Sequence, residues 1–367
     1  MKRSLLLLLV TLPAFAQIRS GQFQNRDAWI METPQLRVTI MQSGGHIAEI
    51  VLKESGVNPM WVQKTPTIDA DHFNAERDAA RYGGGSGAKL MSGLLGHNIC
   101  FPFWGNPSEA ETKAGMTFHG ETGVTRWKRS GAAEAGALAI GAELPQSQTR
   151  FSRMLRVKGQ VLTVESVAEN QSSWDRPVAW CEHVTFGAPF LEKGVTVVDA
   201  SLGRGRVIDD KTNSPVAYDE ALRTVPNADK PYGFVKNFLV DPKREYGFFT
   251  AVHPGRQLLV GYLFPRAQFP WLNVWEANNP DMLTRGMEFS NTPTHGTMKE
   301  LVAAPSLFGE RTYDWLEARS KVTKRFAAFS AKVPPHFKGV ADVRIDGRRL
   351  IIRELGSNRT VEIEWPF

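Results

Sequence analysis

The chain is sparing with cysteine, holding 2 in 367 residues, Cys100 and Cys181. No zinc-type cysteine pair, no phosphate-cradling glycine loop, no His-Glu-x-x-His and no Gly-x-Ser-x-Gly occurs. Each absence removes a reaction class. Runs of like charge are missing too. The formal charge is only +6 and no Lys/Arg cluster of nucleic-acid type appears, so a nucleic-acid partner is not expected. No repeat of fixed period is visible, which weakens a propeller or solenoid. Beyond the first sixteen residues no apolar run approaches the length that spans a bilayer.

Those sixteen residues, MKRSLLLLLVTLPAFA, carry Lys2 and Arg3, an apolar run from Leu5 to Leu12, and an Ala14-x-Ala16 ending. This is the pattern of a cleaved secretory signal. A mature chain from about Gln17 is expected to be secreted or periplasmic and without a membrane anchor. Losing Lys2 and Arg3 and no acid takes the charge from +6 to +4. In an oxidising compartment Cys100 and Cys181 can pair, or serve as small buried hydrophobes. Spacing does not decide, because pairing depends on geometry.

What the chain has in quantity is 32 Gly and 22 Pro punctuating short runs of Val, Ile, Phe and Trp. LRVTIM, ALAIGAEL, VLTVESVAEN, GFFTAV and LLVGYLF read as strands. Helical periodicity is weak except around ERTYDWLEARSKVTKRFAAF, which can equally open a long edge strand. The fold class is all-β, a large antiparallel sandwich or barrel spanning residues 17–330. The polar and then glycine-rich stretch DADHFNAERDAARYGGGSGAKLMSGLLG reads as an excursion over one end of a sheet. After KVPPHFKG, residues 331–367 read as a C-terminal β-hairpin extension with a turn at Asp346-Gly347.

Four stretches set His, Glu, Asn or Trp against apolar strand residues: LLGHNICFPFWGNP, MTFHGETG, AWCEHVTFGAPF and WLNVWEANNPDMLTRGMEFSNTP. Alone, His119 or His183 reads as readily as a structural histidine bonded to a turn carbonyl. Together the stretches resemble the galactose mutarotase-like family, the aldose 1-epimerases, nearest to its hexose-phosphate mutarotase branch. GHNICFPFWG keeps Gly96, Phe101, Pro102, Trp104 and Gly105 of that branch's first motif. His119 and Gly120 match its His-Gly motif, with Trp127 following. His183 matches a mid-chain histidine more loosely, and Glu288 falls at the catalytic glutamate.

The resemblance covers roughly residues 35 to 325. It implies a β-supersandwich whose open cleft binds a sugar. It also implies an aldose 1-epimerase with Glu288 as base, His183 as acid at the ring oxygen, and His119 bonding the ring oxygen or sharing the acid role. No cofactor or metal is expected, since one base and one acid suffice for ring opening. Trp275 and Trp104 offer faces to the apolar side of a sugar. Asn98, Asn273 and Asn278 can bond hydroxyls. Glu276 and Glu182 rank lower, because on strands they point away from Trp275 and His183.

The pattern breaks where the branch holds two arginines: here stand Leu95 and Gly123. A phosphate dianion needs permanently charged donors, so a non-phosphorylated aldose is expected unless Arg126 or Arg81 substitutes. His97 and Asn98 replace a Gly-Ile pair at the cleft floor and either re-aim the site to another sugar or fill it. The glycines after His119 read as space for a ring, and Glu121 as a turn or rim residue. Three rival readings stay open: a carbohydrate-binding or inactive relative, a metal site at His119, Glu121, Cys181 and His183, and polysaccharide lyase or hydrolase chemistry.

Overall fold

The computed structural model describes residues 16–131, 134–208, 214–225 and 230–366. The leader-like stretch is residues 1–16, of which 1–15 lie outside the described residues. Two large antiparallel sheets pack face to face. The front sheet has ten strands in the order Gln17–Phe23, Arg26–Glu32, Leu36–Met41, Ile47–Leu52, His97–Cys100, Cys181–Gly187, Met282–Ser290, Trp271–Asn279, Tyr232–Val240 and Leu202–Val207. The back sheet has eight, with Tyr246–His253, Leu258–Pro265, Lys321–Lys332, Val161–Asn170 and Thr149–Lys158 at its centre.

Period-two patterning selects these strands. In Thr149–Lys158 the residues Phe151, Leu155 and Val157 are buried while their neighbours are partly exposed. The inward sets of both sheets meet in one apolar layer around Ile99, Val184, Phe186, Phe249, Tyr262 and Phe289. Strand Cys181–Gly187 is buried at every position. One of its faces meets the back sheet, and the other is roofed by the excursion between the strands Ile47–Leu52 and His97–Cys100.

That roof carries helices Ala75–Tyr82 and Ala88–Gly93. The first is capped by the Asn74 side chain, which accepts from Glu76 N at 3.0 Å and Arg77 N at 3.1 Å. Arg26 ties the roof down, donating to Asp69 at 2.8 Å, Thr67 at 3.1 Å and the Gly93 carbonyl at 2.9 Å.

No helix forms at ERTYDWLEARSKVTKRFAAF. Its second half is the strand Lys321–Lys332, and this strand is interior, paired with Leu258–Pro265 on one side and Val161–Asn170 on the other. The apolar run that loosely mimicked helical spacing is a strand buried on both faces. Phe326 and Ala328 face the layer between the sheets, and Ala327 and Phe329 face a second cluster behind it. That cluster is closed by a three-stranded sheet, Val340–Asp346, Arg349–Glu354 and Thr360–Glu364, through Val343, Leu350, Ile352 and Ile363. Among the described residues no helix is long and apolar enough to cross a membrane.

Candidate functional site

Register assembles the site. His183 pairs with Asn98 on one side and Glu288 on the other, Glu288 pairs with Asn273, and Asn273 pairs with Asn237. Paired positions share a face, so Asn98, His183, Glu288, Asn273 and Asn237 form a polar row across five adjacent strands. His183 Nε2 lies 2.9 Å from Glu288 Oε1, and the Cys181 thiol donates to Oε2 at 3.5 Å. Thr185 Oγ1 stands 3.3 Å from His183 Nδ1. A His183 that donates its Nε2–H to Glu288 is satisfied at Nδ1 by the Thr185 hydroxyl.

The loop after His97–Cys100 brings up His119. Its backbone is left-handed, with φ at +64°, a conformation costing a non-glycine residue about 1 kcal/mol or more. Three hydrogen bonds hold it: His119 N to Gly105 O at 2.9 Å, Gly105 N to His119 Nδ1 at 3.0 Å, and Phe101 N to His119 O at 3.2 Å. Because Nδ1 accepts, the neutral ring carries its proton on Nε2. Burial, reinforced by the neighbouring His183 and His295, pushes its pKa well below the ordinary histidine value. A neutral His119 is a hydrogen-bond donor at Nε2, in keeping with the first of the two roles expected for it.

These side chains open into a cavity of about 270 Å³. His119, His183, Glu288, Trp104 and Trp275 line it, together with His295, which sequence reasoning missed. The rings of His119 and His183 are centred 5.2 Å apart, and those of His119 and His295 5.6 Å. A second His-Gly dipeptide at 295–296, echoing 119–120, was the signal for it. Gly105 explains why both loops meet: a Cβ there would stand 2.4 Å from Gly296 N. Trp275 lies over Gly286, its register partner, where a Cβ would fall 1.8 Å from the indole nitrogen.

Other expectations change. His97 turns to the opposite face from Asn98 and is fully buried between the sheets, 2.8 Å from Glu182, so it does not meet the cavity. Glu182 is ion-paired with the buried Arg153. Burial would raise its pKa, but Arg153 and His97 outweigh that and hold it at about 2. Glu276 is likewise paired with Arg285. Asn273 spends its amide on Asn237 at 2.8 Å, Ser290 at 3.0 Å and the Thr292 carbonyl at 3.2 Å, which makes it a brace beneath the cavity. Asn98 is buried beside His183, and its Oδ1 has no partner among the described residues. Neither Asn98, Asn273 nor Asn278 lines the cavity.

Glu121 accepts from the backbone of Gln146 at 2.8 Å and Ser147 at 2.6 Å, so it anchors a turn rather than facing a ligand. Among the described residues no group of three or more His, Cys, Asp or Glu is placed to hold a metal ion. Gly120 is not room for a sugar, since a Cβ there would meet the Phe101 carbonyl oxygen at 2.1 Å. Cys100 and Cys181 are register partners, buried, and both free thiols. Burial raises the pKa of each.

Among the described residues no arginine or lysine lines the cavity. Leu95 is buried against Ala28, Met41 and Ala48. A side chain at Gly123 would meet Leu90 at 2.9 Å. Arg126 is held by Asp69 at 2.6 Å and Asp71 at 2.7 Å, and Arg81 sits exposed on the outer helix. A depression of about 300 Å³ between the back sheet and the C-terminal sheet, near Tyr246 and Trp365, has its Glu165 and Arg325 paired with each other at 2.6 Å.

The sequence matches no protein-family profile and no curated protein sequence. Solved structures do match. A candidate aldose 1-epimerase from Klebsiella pneumoniae superposes with a TM-score of 0.67 at 14% identity, over 86% of this chain and 83% of that one. A galactose mutarotase-like protein from Clostridium acetobutylicum gives 0.60 at 14% identity, over 87% and 99%. A galactose mutarotase-like protein from Lactobacillus casei gives 0.57 at 11%, over 83% and 100%. The architecture is thus an antiparallel β-supersandwich. The chain has the galactose mutarotase-like fold.

Proposed function

We propose that this chain is an aldose 1-epimerase that interconverts the α and β anomers of a non-phosphorylated aldose. The observation that carries the reading is the Glu288–His183 pair, 2.9 Å apart, at the base of a tryptophan-walled cavity. Glu288 takes the proton of the anomeric hydroxyl while His183 gives one to the ring oxygen as the bond from C1 to that oxygen breaks. The open aldehyde turns about C1–C2, and reclosure on the other face reverses both transfers. A sugar entering the site replaces the Glu288–His183 contact with one contact from each side chain. His119, neutral with Nε2–H, donates a hydrogen bond and does not supply the proton. Each positioned transfer contributes on the order of 10²- to 10⁴-fold.

A described cavity lining without arginine or lysine supports a substrate without phosphate. The leader-like residues 1–16 support action outside the cytoplasm. A second reading, sugar binding without turnover, is favoured by one observation: both Glu288 oxygens already have partners, His183 and Cys181. Polarimetry on freshly dissolved α-anomers, with Glu288→Gln beside the wild type, separates the two. Acceleration lost in the variant supports the enzyme, and two traces equal to the buffer blank support the binder.

A further inference from the structure

The walls of the cavity carry few groups that can bond a hydroxyl. Beyond Trp104 and Trp275 the apolar lining is Trp61, Met91, Leu94, Phe118, Val235 and Met282. Among the described residues its polar side chains are Glu288, His183, His119 and His295, with no Asp, Asn, Gln, Arg, Lys, Ser or Thr among them, and the indole N–H groups of Trp104 and Trp275 are donors buried without a partner. The proposed chemistry assigns Glu288, His183 and His119 to the anomeric hydroxyl and the ring oxygen. That leaves the exposed His295 and the two indole N–H groups, three groups for the four hydroxyls at C2, C3, C4 and C6 of a hexopyranose. A hydroxyl buried without a partner weakens binding by roughly five- to hundredfold, whereas a methyl or methylene at the same wall strengthens it.

The wall is built into the fold. Met91 and Leu94 come from the roof helix Ala88–Gly93 and the residue after its end, Val235 from strand Tyr232–Val240, and Met282 from the start of the Glu288 strand. Val235 pairs with Trp275, and Trp275 with Gly286, so apolar surface continues along one row of the sheet beside the polar row. Gln63, the polar side chain nearest in sequence to Trp61, is spent on the carbonyls of Met91 at 2.7 Å and Leu94 at 2.9 Å. It fastens the apolar roof instead of meeting a ligand.

We propose, resting on the epimerase reading above, that the site is specific for an aldose in which apolar groups replace hydroxyls, a deoxy or O-methyl sugar, over the fully hydroxylated hexose. The test is anomer exchange followed by NMR on the full chain with matched pairs: D-glucose against 6-deoxy-D-glucose, 2-deoxy-D-glucose and 3-O-methyl-D-glucose, and D-galactose against 6-deoxy-D-galactose. At least one analogue is expected to exceed its parent about tenfold in kcat/KM, a difference of about 1.4 kcal/mol. The near-isosteric variants Leu94→Asn and Val235→Thr, which add a hydrogen-bonding group to the wall, shift the ratio back toward the parent. Parents equal to or better than every analogue overturn the inference while leaving the epimerase reading intact. If no sugar is turned over, the epimerase reading fails. The inference is then decided by calorimetric binding of the same pairs: tighter binding of an analogue upholds it, and tighter binding of the parents, or of none, overturns it.

Discussion

His183 Nε2 and Glu288 Oε1 stand 2.9 Å apart at directly paired positions of neighbouring antiparallel strands. The contact is a product of sheet register, not of loop conformation. A one-residue slip of either strand would send one partner to the inter-sheet core, where Glu182 and Met287 now point. The His183–Glu288 contact is therefore as rigid as the sheet centre.

Gly105 joins two of the three histidine-bearing segments. Its φ is +123°, and a Cβ would meet Gly296 N at 2.4 Å and the His295 carbonyl carbon at 2.7 Å. Gly105→Ala is expected to cost about 1–3 kcal/mol and to loosen His119, whose Nδ1 accepts from Gly105 N. Thermal melting together with KM checks this. A variant with wild-type melting and KM contradicts it.

Gly286→Ala acts on one wall only. The new methyl would displace the Trp275 indole, whose nitrogen lies 1.8 Å from that position. KM should rise roughly tenfold, the worth of one aromatic face, with a shift in tryptophan emission. An unchanged KM would mean that Trp275 does not meet the substrate.

Acid should destabilise the protein before its carboxylates titrate. His46 is buried, and its Nε2 lies 3.0 Å from the Gly123 carbonyl oxygen. Burial, then the charge of Arg26, pushes its pKa down to about 3, and His119 is depressed as well. Both are neutral when folded and titrate near 6.5 when unfolded, so unfolding takes up protons. The His46 contribution is complete above pH about 6.5 and is lost as pH falls toward about 3, with a slope of up to about 1.4 kcal/mol per pH unit, and the His119 contribution falls in the same direction. Melting temperatures from pH 7.5 to 4.5 should fall, and His46→Gln should flatten the fall. A level profile contradicts the assignment.

The buried charges between the sheets make a fourth prediction. Arg153→Met leaves Glu182 without its guanidinium in an apolar layer, and should cost about 3–5 kcal/mol in urea unfolding. A loss below about 1 kcal/mol would show that His97 alone, 2.8 Å away, suffices.

Strand patterning carried most of the fold in plain view, since Phe151, Leu155 and Val157 alternate with partly exposed neighbours. It failed at Lys321–Lys332, where burial on both faces erased the alternation. The residues at the cavity were legible where they stood in motifs, as His119 and Trp104 do. The face of a strand residue was legible only where its register could be inferred. Alternation from His183 and Trp275 places Glu182 and Glu276 inward, and the same alternation puts His97 on the opposite face from Asn98. The apolar wall was not legible at all. Met91 with Leu94, Val235 and Met282 come from three distant places in the chain, and only the folded sheet and its roof bring them together.

The most direct test of the account is the rate of anomer exchange at equilibrium, measured by NMR saturation transfer on wild type and Glu288→Gln across the matched sugars. The account predicts acceleration by the wild type and a loss of about 10²- to 10⁴-fold in a variant with an unchanged melting temperature. A Glu288→Gln protein that retains the wild-type rate would contradict it.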